Sequence, residues 1–318
     1  MEENKYTTDI YGSSSAPYIN SLMGTYAYAS NYTTVADPSE PNYIWFEAGD
    51  YDLTDACGNC EFGSELPTFQ GVCTDDPPTC ANASCSPASS NSSCTAAHLT
   101  AYLDDAGVSW KGYAEGITAG GSGLCPINAD EGAPNYFAAR HVPFVFFQDI
   151  SGNPPDATNA FCEQHIVNFT SLATDLSSGT LASYVFITPN LVDDMHTDCS
   201  TCSGTPGEVS SGDDWLKNTA AIQSLITYVT TASNHSILII DWDEGAYGLD
   251  QPMLMIAPVS TLASPGVANA TAFTHSSDLK SLQEIFQVDP AHGYALLRHA
   301  GDSTTTDFAS FFKAGDFP

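Results

Sequence analysis

Two short apolar runs constrain this chain most: Ser183-Tyr-Val-Phe-Ile-Thr188 and Ser236-Ile-Leu-Ile-Ile-Asp241, each of which ends in a cluster of acids. Aromatic and β-branched throughout, without polar alternation, they read as strands buried in a parallel sheet with helices on its faces. The first runs into Pro189-Asn-Leu-Val-Asp-Asp-Met-His196-Thr-Asp198, the second into Asp241-Trp-Asp243-Glu244-Gly245. Open α/β sheets hold their ligands beyond the carboxyl ends of strands, so these two acidic ends are the first candidates for chemistry.

Helical patterns alternate with the strands. Pro17 opens a helix through Leu22; residues 96–106 form another, with Leu99, Tyr102 and Leu103 on one face and Gly107 as its stop. Residues 108–113 read as a strand and 165–180 as a helix. The clearest helix spans 213–230, with Trp215, Ile222, Ile226 and Val229 on one face and Asp213 and Asp214 at its positive end. Pro252 to Ala257 is a third strand, and Phe273-Thr-His275 leads into a helix over 277–286. The expectation is an α/β fold with a mainly parallel sheet, one domain over residues 1–318.

Charge narrows the partners. Seven Lys and Arg stand against 38 Asp and Glu, for a net charge of −31. Nucleic acid and anionic membrane surfaces both require a basic footprint and are excluded as partners. No run of eighteen apolar residues is present, so no membrane span is expected. An anionic substrate would be repelled at long range, so a phosphate site needs local positive charge, most simply a metal ion. The acidic surface points to work at low pH or in high salt.

Ten cysteines are present, six of them between 57 and 94. The pairs Cys57/Cys60 and Cys199/Cys202 have zinc-ligand spacing, but disulfides are favoured, because six Asn-x-Ser/Thr sequons (Asn31, Asn82, Asn91, Asn168, Asn234, Asn269) accompany them. Residues 50–97, rich in Cys, Pro, Ser and Asn, read as a disulfide-stapled insertion without a core of its own. The expected location is extracellular or cell-surface. The chain opens on Met1-Glu-Glu-Asn-Lys-Tyr without a signal-peptide pattern, so it is expected to begin after an export signal and after a first strand.

A candidate nucleophile lies in Asp37-Pro-Ser-Glu-Pro-Asn-Tyr43. Pro41 suits a first helical turn, and Ser39 before it suits the N-cap, where a hydroxyl meets free backbone N–H groups. Arg140, one of two arginines, adjoins His141, as either a buried ion pair or an anion contact. Asp243, Glu244, His196 and His275 could together hold a hard or borderline divalent cation. Glu3 and Asn4, taken alone, read as a solvated terminus.

In order along the chain, Glu3-Asn4, Pro38-Ser-Glu-Pro-Asn-Tyr43, Gly107-Val-Ser-Trp-Lys-Gly-Tyr-Ala-Glu115, Arg140-His-Val-Pro143, Thr188-Pro-Asn-Leu-Val-Asp-Asp-Met-His196, Trp242-Asp-Glu-Gly245 and Thr274-His275 resemble the phosphoesterase family. That family contains acid phosphatases and bacterial-type phospholipases C and belongs to the alkaline phosphatase superfamily. The resemblance implies a three-layer αβα sandwich interrupted by the cysteine-rich insertion. It implies that Ser39 attacks phosphorus and forms a phosphoseryl intermediate, with Glu3, Asn4, Ser39, Asp243 and Glu244 around one metal. Asp194, His196 and His275 fall at the second metal site or against the phosphate. Arg140 and His141 would stabilise charge there, and Asn42 would belong to the catalytic motif or brace its turn. Many relatives have a histidine where this chain has Asp37.

The expected function is therefore a secreted acid phosphatase acting on small phosphate monoesters with a divalent metal (Zn, Mg, Mn, Ca or Fe). A phospholipase C-like phosphodiesterase is the close alternative. A non-catalytic extracellular surface or assembly protein that retains the fold is the distant one.

Overall fold

The computed structural model describes residues 1–36, 38–50, 97–117, 125–127, 130–152, 155–198, 207–245 and 250–317. Asp37, the CxxC pairs and nearly all of the insertion expected at 50–97 lie outside the described residues. Within them, seven strands form two sheets: β1 (Ala27–Ala29), β2 (Trp110–Ala114), β3 (Ile166–Asn168), β4 (Tyr184–Thr188), β5 (Leu238–Asp241), β6 (Met253–Ile256) and β7 (Ala268–Asn269).

One sheet has the order β3-β2-β4 and is wholly parallel, with Gly112 opposite both Ile166 and Phe186. A Cβ at Gly112 would lie 2.8 Å from Phe144 Cε2, so glycine is what lets that ring pack directly on the sheet. The other sheet has the order β5-β6-β1-β7, and β6 runs antiparallel to both of its neighbours. The sheet structure is thus mixed. Parallel neighbours require a crossover of about a dozen residues or more, and only 11 residues separate the end of β5 at Asp241 from the start of β6 at Met253, so β6 returns alongside β5 in the opposite sense.

The two sheets meet at the amino-terminal residues. The Met1 amino group donates to Ile187 O at 3.0 Å, while Glu2 N donates to Asp241 O at 2.8 Å and Asp243 N to Glu2 O at 3.0 Å. This short bridge lies between the ends of β4 and β5. Glu3, read as part of a solvated terminus, is completely buried.

Apolar side chains cover both faces. Tyr184, Phe186 and Trp110 pack with Ile44, Leu279 and the Phe144–Phe147 run on one side, whereas Val185, Ile187, Tyr113 and Ile240 pack with Trp215, Leu225 and Ile226 on the other. The helix expected over 213–230 is two helices, Glu208–Asn218 and Ala220–Thr230, broken where Thr219 is extended. Trp215, Ile222, Ile226 and Val229 are buried as expected. Asp213 serves a different helix: its carboxylate accepts Tyr18 N at 3.0 Å and Ile19 N at 2.8 Å, at the start of Pro17–Met23. The helix expected over 165–180 is divided into Ala160–His165, β3 and Ser171–Ser178. Three residues are too few to show a two-residue period, so β3 was invisible to pattern. Cys125 and Cys162 form a disulfide with Cα atoms 5.2 Å apart.

A buried ion network anchors the far end of the helix that begins at Ser39. His98 is fully buried, with Nδ1 3.4 Å from Glu47 Oε2 and Nε2 2.9 Å from Asp149 Oδ2. Burial favours neutral imidazole, yet the hydrogen bonds to Asp149 and Glu47 outweigh it and lift His98 to about 9. A raised folded pKa means stabilisation that is complete below the unfolded value of 6.5 and lost as pH rises through about 9. The difference in urea stability between the parent and His98→Gln should therefore be widest at about pH 6 and close by about pH 10. The same helix stops at Gly49, whose φ is +74° and whose added Cβ would lie 2.3 Å from Leu297 O. Gly49→Ala should destabilise the fold by at least about 1–3 kcal/mol, read as a lower midpoint in thermal or urea unfolding.

Candidate active site

Ser39 is the first residue of the Ser39–Ala48 helix, with extended Pro38 as its N-cap, one position later than expected. Every residue of that helix is buried, including the apolar Tyr43–Phe46 run. Asn42 shapes the entry: its Oδ1 accepts Ala36 N at 3.1 Å and its Nδ2 donates to Ala36 O and Pro38 O, both at 3.2 Å. Its amide also reaches Glu244 Oε2 at 3.4 Å. Asn42 is thus a brace for the turn that presents Ser39, tied to the acidic loop opposite.

The amino-terminal bridge brings its carboxylate to that hydroxyl. Ser39 Oγ donates to Glu3 Oε2 at 2.9 Å, and the Tyr43 hydroxyl donates to Glu3 Oε1. Glu3 N donates to Asp194 O at 2.7 Å, and Asn4 N donates to Asp243 Oδ1 at 3.1 Å. Asn4 takes φ +52°, a conformation asparagine tolerates better than most residues. Asp194 and His196 are joined by Met195 at φ +75°, and the turn is closed by His196 N donating to Asp194 Oδ1 at 2.8 Å. Gly212 accommodates Met195: a Cβ there would lie 2.5 Å from Met195 Cγ.

Three buried carboxyls converge here: Glu3, Asp194 and Asp243. Burial raises all three; proximity to Asp243 and Asp194 raises Glu3 further, and Glu2 and Asp243 do the same to Asp194. For Asp243, burial is opposed by hydrogen-bonding contact with the Glu3 carboxyl and the Ser39 hydroxyl. His141 is pushed down by burial, then by Arg140 and His196. Its Nδ1 lies 3.5 Å from Glu3 Oε1 and 3.4 Å from Asp194 Oδ2, and its ring stacks on Tyr43 with centroids 4.8 Å apart.

These donors suit a divalent cation. Asp194 Oδ2, Asp243 Oδ2 and both His141 ring nitrogens are buried without a hydrogen-bond partner. Ligand atoms of Glu3, His141 and Asp194 lie within 4.8 Å of one another, and two oxygens on one cation can be no more than about 5 Å apart. Oxygen donors with one imidazole match a hard or borderline ion. Orphaned buried acceptors are otherwise costly, and a cation would satisfy them.

The remaining expected residues divide. His196 is half-buried beside His141, with ring centroids 5.8 Å apart and Nδ1 3.1 Å from Thr197 Oγ1. Burial, and then Arg140, lowers its pKa. Arg140 forms an ion pair with Glu131, the first of its two expected roles, while its charge still acts on both histidines. His275 does not join Asp194 and His196. Its Nε2 donates to the backbone carbonyl of Asp243 at 2.6 Å, and its Nδ1 faces Tyr32, Asp241 and Asp278. The expected second grouping fails because His275 begins a helix that packs behind the acidic loop. Tyr43, Tyr32 and Asp278 were not anticipated as polar partners, and Asp241 was expected only as part of an acidic strand end. Tyr43 lay inside an apolar run, and no spacing links the others.

The sequence profile of the Phosphoesterase family matches residues 2–289. The chain is 28% identical over 298 residues to a phosphatidylinositol-3-phosphatase of Mycobacterium tuberculosis, covering 93% of this chain and 77% of that one. It is 25% identical over 258 residues to a phosphate-repressible acid phosphatase of Penicillium chrysogenum, covering 80% and 50%, so it spans half the length of that relative. Among solved structures, the phosphonate monoester hydrolase SpPMH from Silicibacter pomeroyi aligns over 93% of this chain and 74% of that one, with TM-score 0.45 and 9% identity. With the profile spanning nearly the whole chain, this protein belongs to the Phosphoesterase family and is a phosphoric ester hydrolase.

Proposed function

We propose that the chain is a metal-dependent acid phosphatase that hydrolyses small phosphate monoesters through a phosphoseryl intermediate on Ser39. The observation that carries this reading is the Ser39 hydroxyl, at a helix N-terminus, hydrogen-bonded to a buried carboxyl group that adjoins two more. Both relatives described above are named as phosphatases, which favours monoesters over phosphodiesters. The fold is read as a three-layer, alkaline phosphatase-like arrangement. The Cys125–Cys162 disulfide favours an exported chain.

Glu3, His141 and Asp194, whose ligand atoms converge, would hold the cation together with the Asp243 carboxylate, with Asn4, Glu244 and Ser39 around it. When bound, a divalent cation would supply Lewis-acid polarisation and neutralise phosphoryl charge in a strongly acidic protein. Ser39 Oγ attacks phosphorus in line, its proton passing to Glu3 Oε2, and the P–O bond to the alcohol breaks. The leaving alkoxide takes that proton from Glu3 as it departs, so the alcohol leaves neutral and Glu3 is again a carboxylate. Water then attacks the phosphoserine, releasing inorganic phosphate and restoring the Ser39 hydroxyl. Free N–H groups in the first turn of the helix face the developing charge. His196, the more exposed imidazole, would contact phosphate, and Arg140 would add positive potential.

Hydrolysis of p-nitrophenyl phosphate tests the scheme. Ser39→Ala should lower kcat by at least about a thousandfold at unchanged fold, because loss of a covalent nucleophile removes the pathway. Dialysis against a chelator should abolish parental activity, and adding back divalent ions one at a time should restore it. A parent with no metal-dependent hydrolysis of this monoester would overturn the reading and leave the phosphodiesterase alternative, and a fully active Ser39→Ala would remove Ser39 as the nucleophile.

A further inference from the structure

Behind the acidic loop, a set of buried polar groups makes no contact with Ser39. His275 and Asp278 occupy the first turn of the His275–Ile285 helix, where i and i+3 side chains share a face. That face meets Tyr32, which is itself fully buried and bridged in parallel fashion to Phe273, just before the helix. The Tyr32 hydroxyl is 2.6 Å from His275 Nδ1 and donates to Asp278 Oδ2. The opposite ring nitrogen, Nε2, donates to the Asp243 carbonyl at 2.6 Å. Asp241, at the end of β5, places Oδ2 3.9 Å from Nδ1. An unbroken series of contacts therefore runs from Asp278 through Tyr32 and His275 to the backbone of a residue whose carboxyl group faces Ser39.

We propose that Asp278, Tyr32 and His275 form a positioning relay that grips the Asp243 carbonyl and so aims the Asp243 carboxylate at the cation site beside Ser39. This rests on the metal-dependent reading above. The relay resists the one motion that would spoil the site, a swing of the Asp243–Glu244 loop away from Glu3. Partners of this kind, one step removed from the ligands, commonly govern metal affinity as strongly as a ligand's own geometry does. The same three side chains and Asp241 have the composition of a cation site. The Tyr32 hydroxyl, however, lies between the ligand atoms and closes the cluster with hydrogen bonds.

The test uses the full chain, stripped of metal and titrated calorimetrically with Zn²⁺ and with Mn²⁺. Tyr32→Phe and Asp278→Asn should each weaken binding by about ten- to a hundredfold at unchanged stoichiometry. Activity on p-nitrophenyl phosphate should recover as metal is raised, while KM stays at the parental value. Parental Kd in both folded variants would overturn the relay. So would a loss that tracks a lower melting temperature and is not recovered by added metal. Two ions bound by the parent and one by Asp278→Asn would make the cluster a second cation site and overturn the relay in that way. No binding of either ion by the parent would remove the metal-dependent reading, and the relay with it, an outcome distinct from all the others.

Discussion

The site depends on backbone pairing by two glutamates near the start of the chain. Glu2 exchanges hydrogen bonds with Asp241 and Asp243, and Glu3 N donates to Asp194 O. Those contacts place one buried carboxyl, Glu3, between the ends of β4 and β5 and against the Ser39 hydroxyl. Without them the acidic ends of the two strands would be separate loops. With them, three buried carboxyl groups and a buried imidazole are gathered in one place. Burying that much like charge is unfavourable, and the upward shifts of Glu3, Asp194 and Asp243 express the cost. A binding site for a cation is a physical reason for a fold to accept it.

Rigid support surrounds this strained centre. The Ser39 helix is buried on every side, braced at its start by Asn42 and held near its end by the Glu47–His98–Asp149 network. It is also tied to the His275 helix, through Trp45 Nε1 donating to Ser276 Oγ at 2.8 Å. Left-handed conformations at Asn4 and Met195 place unfavourable backbone geometry where the acidic side chains must be aimed. The Ser39 hydroxyl is therefore mounted on a rigid element, and the carboxyl groups come to it on turns.

Net charge and site chemistry are connected. With a charge of −31 the protein repels an anionic ester from a distance, so attraction must come from close range. Arg140 and the helix N-terminus at Ser39 are the local sources, and the proposed cation would add to them. Arg140 also shows why a rare cation need not have a single role: its guanidinium is paired with Glu131 while its field lowers the pKa of both His141 and His196.

Read alone, the sequence determined the α/β class, the strands ending at Thr188 and Asp241 and the helix after Thr274, while the family resemblance set Ser39 with Asp243 and put Asp194 apart from them, with His196 and His275. Those features were legible because apolar period, capping residues and ordered motifs are local properties of the chain. Local pattern was insufficient for β3, only three residues long, for the break at Thr219, and for β6, whose direction depends on how few residues separate it from β5. Only the tertiary structure decided that Glu3 is buried, that Tyr43 bonds to it, that Asp213 caps a helix nearly two hundred positions away in the chain, and that His275 supports Asp243 from behind. Each of these is a contact between segments distant in sequence, where hydrogen-bond direction and exclusion of water, rather than residue spacing, determine the role of a side chain.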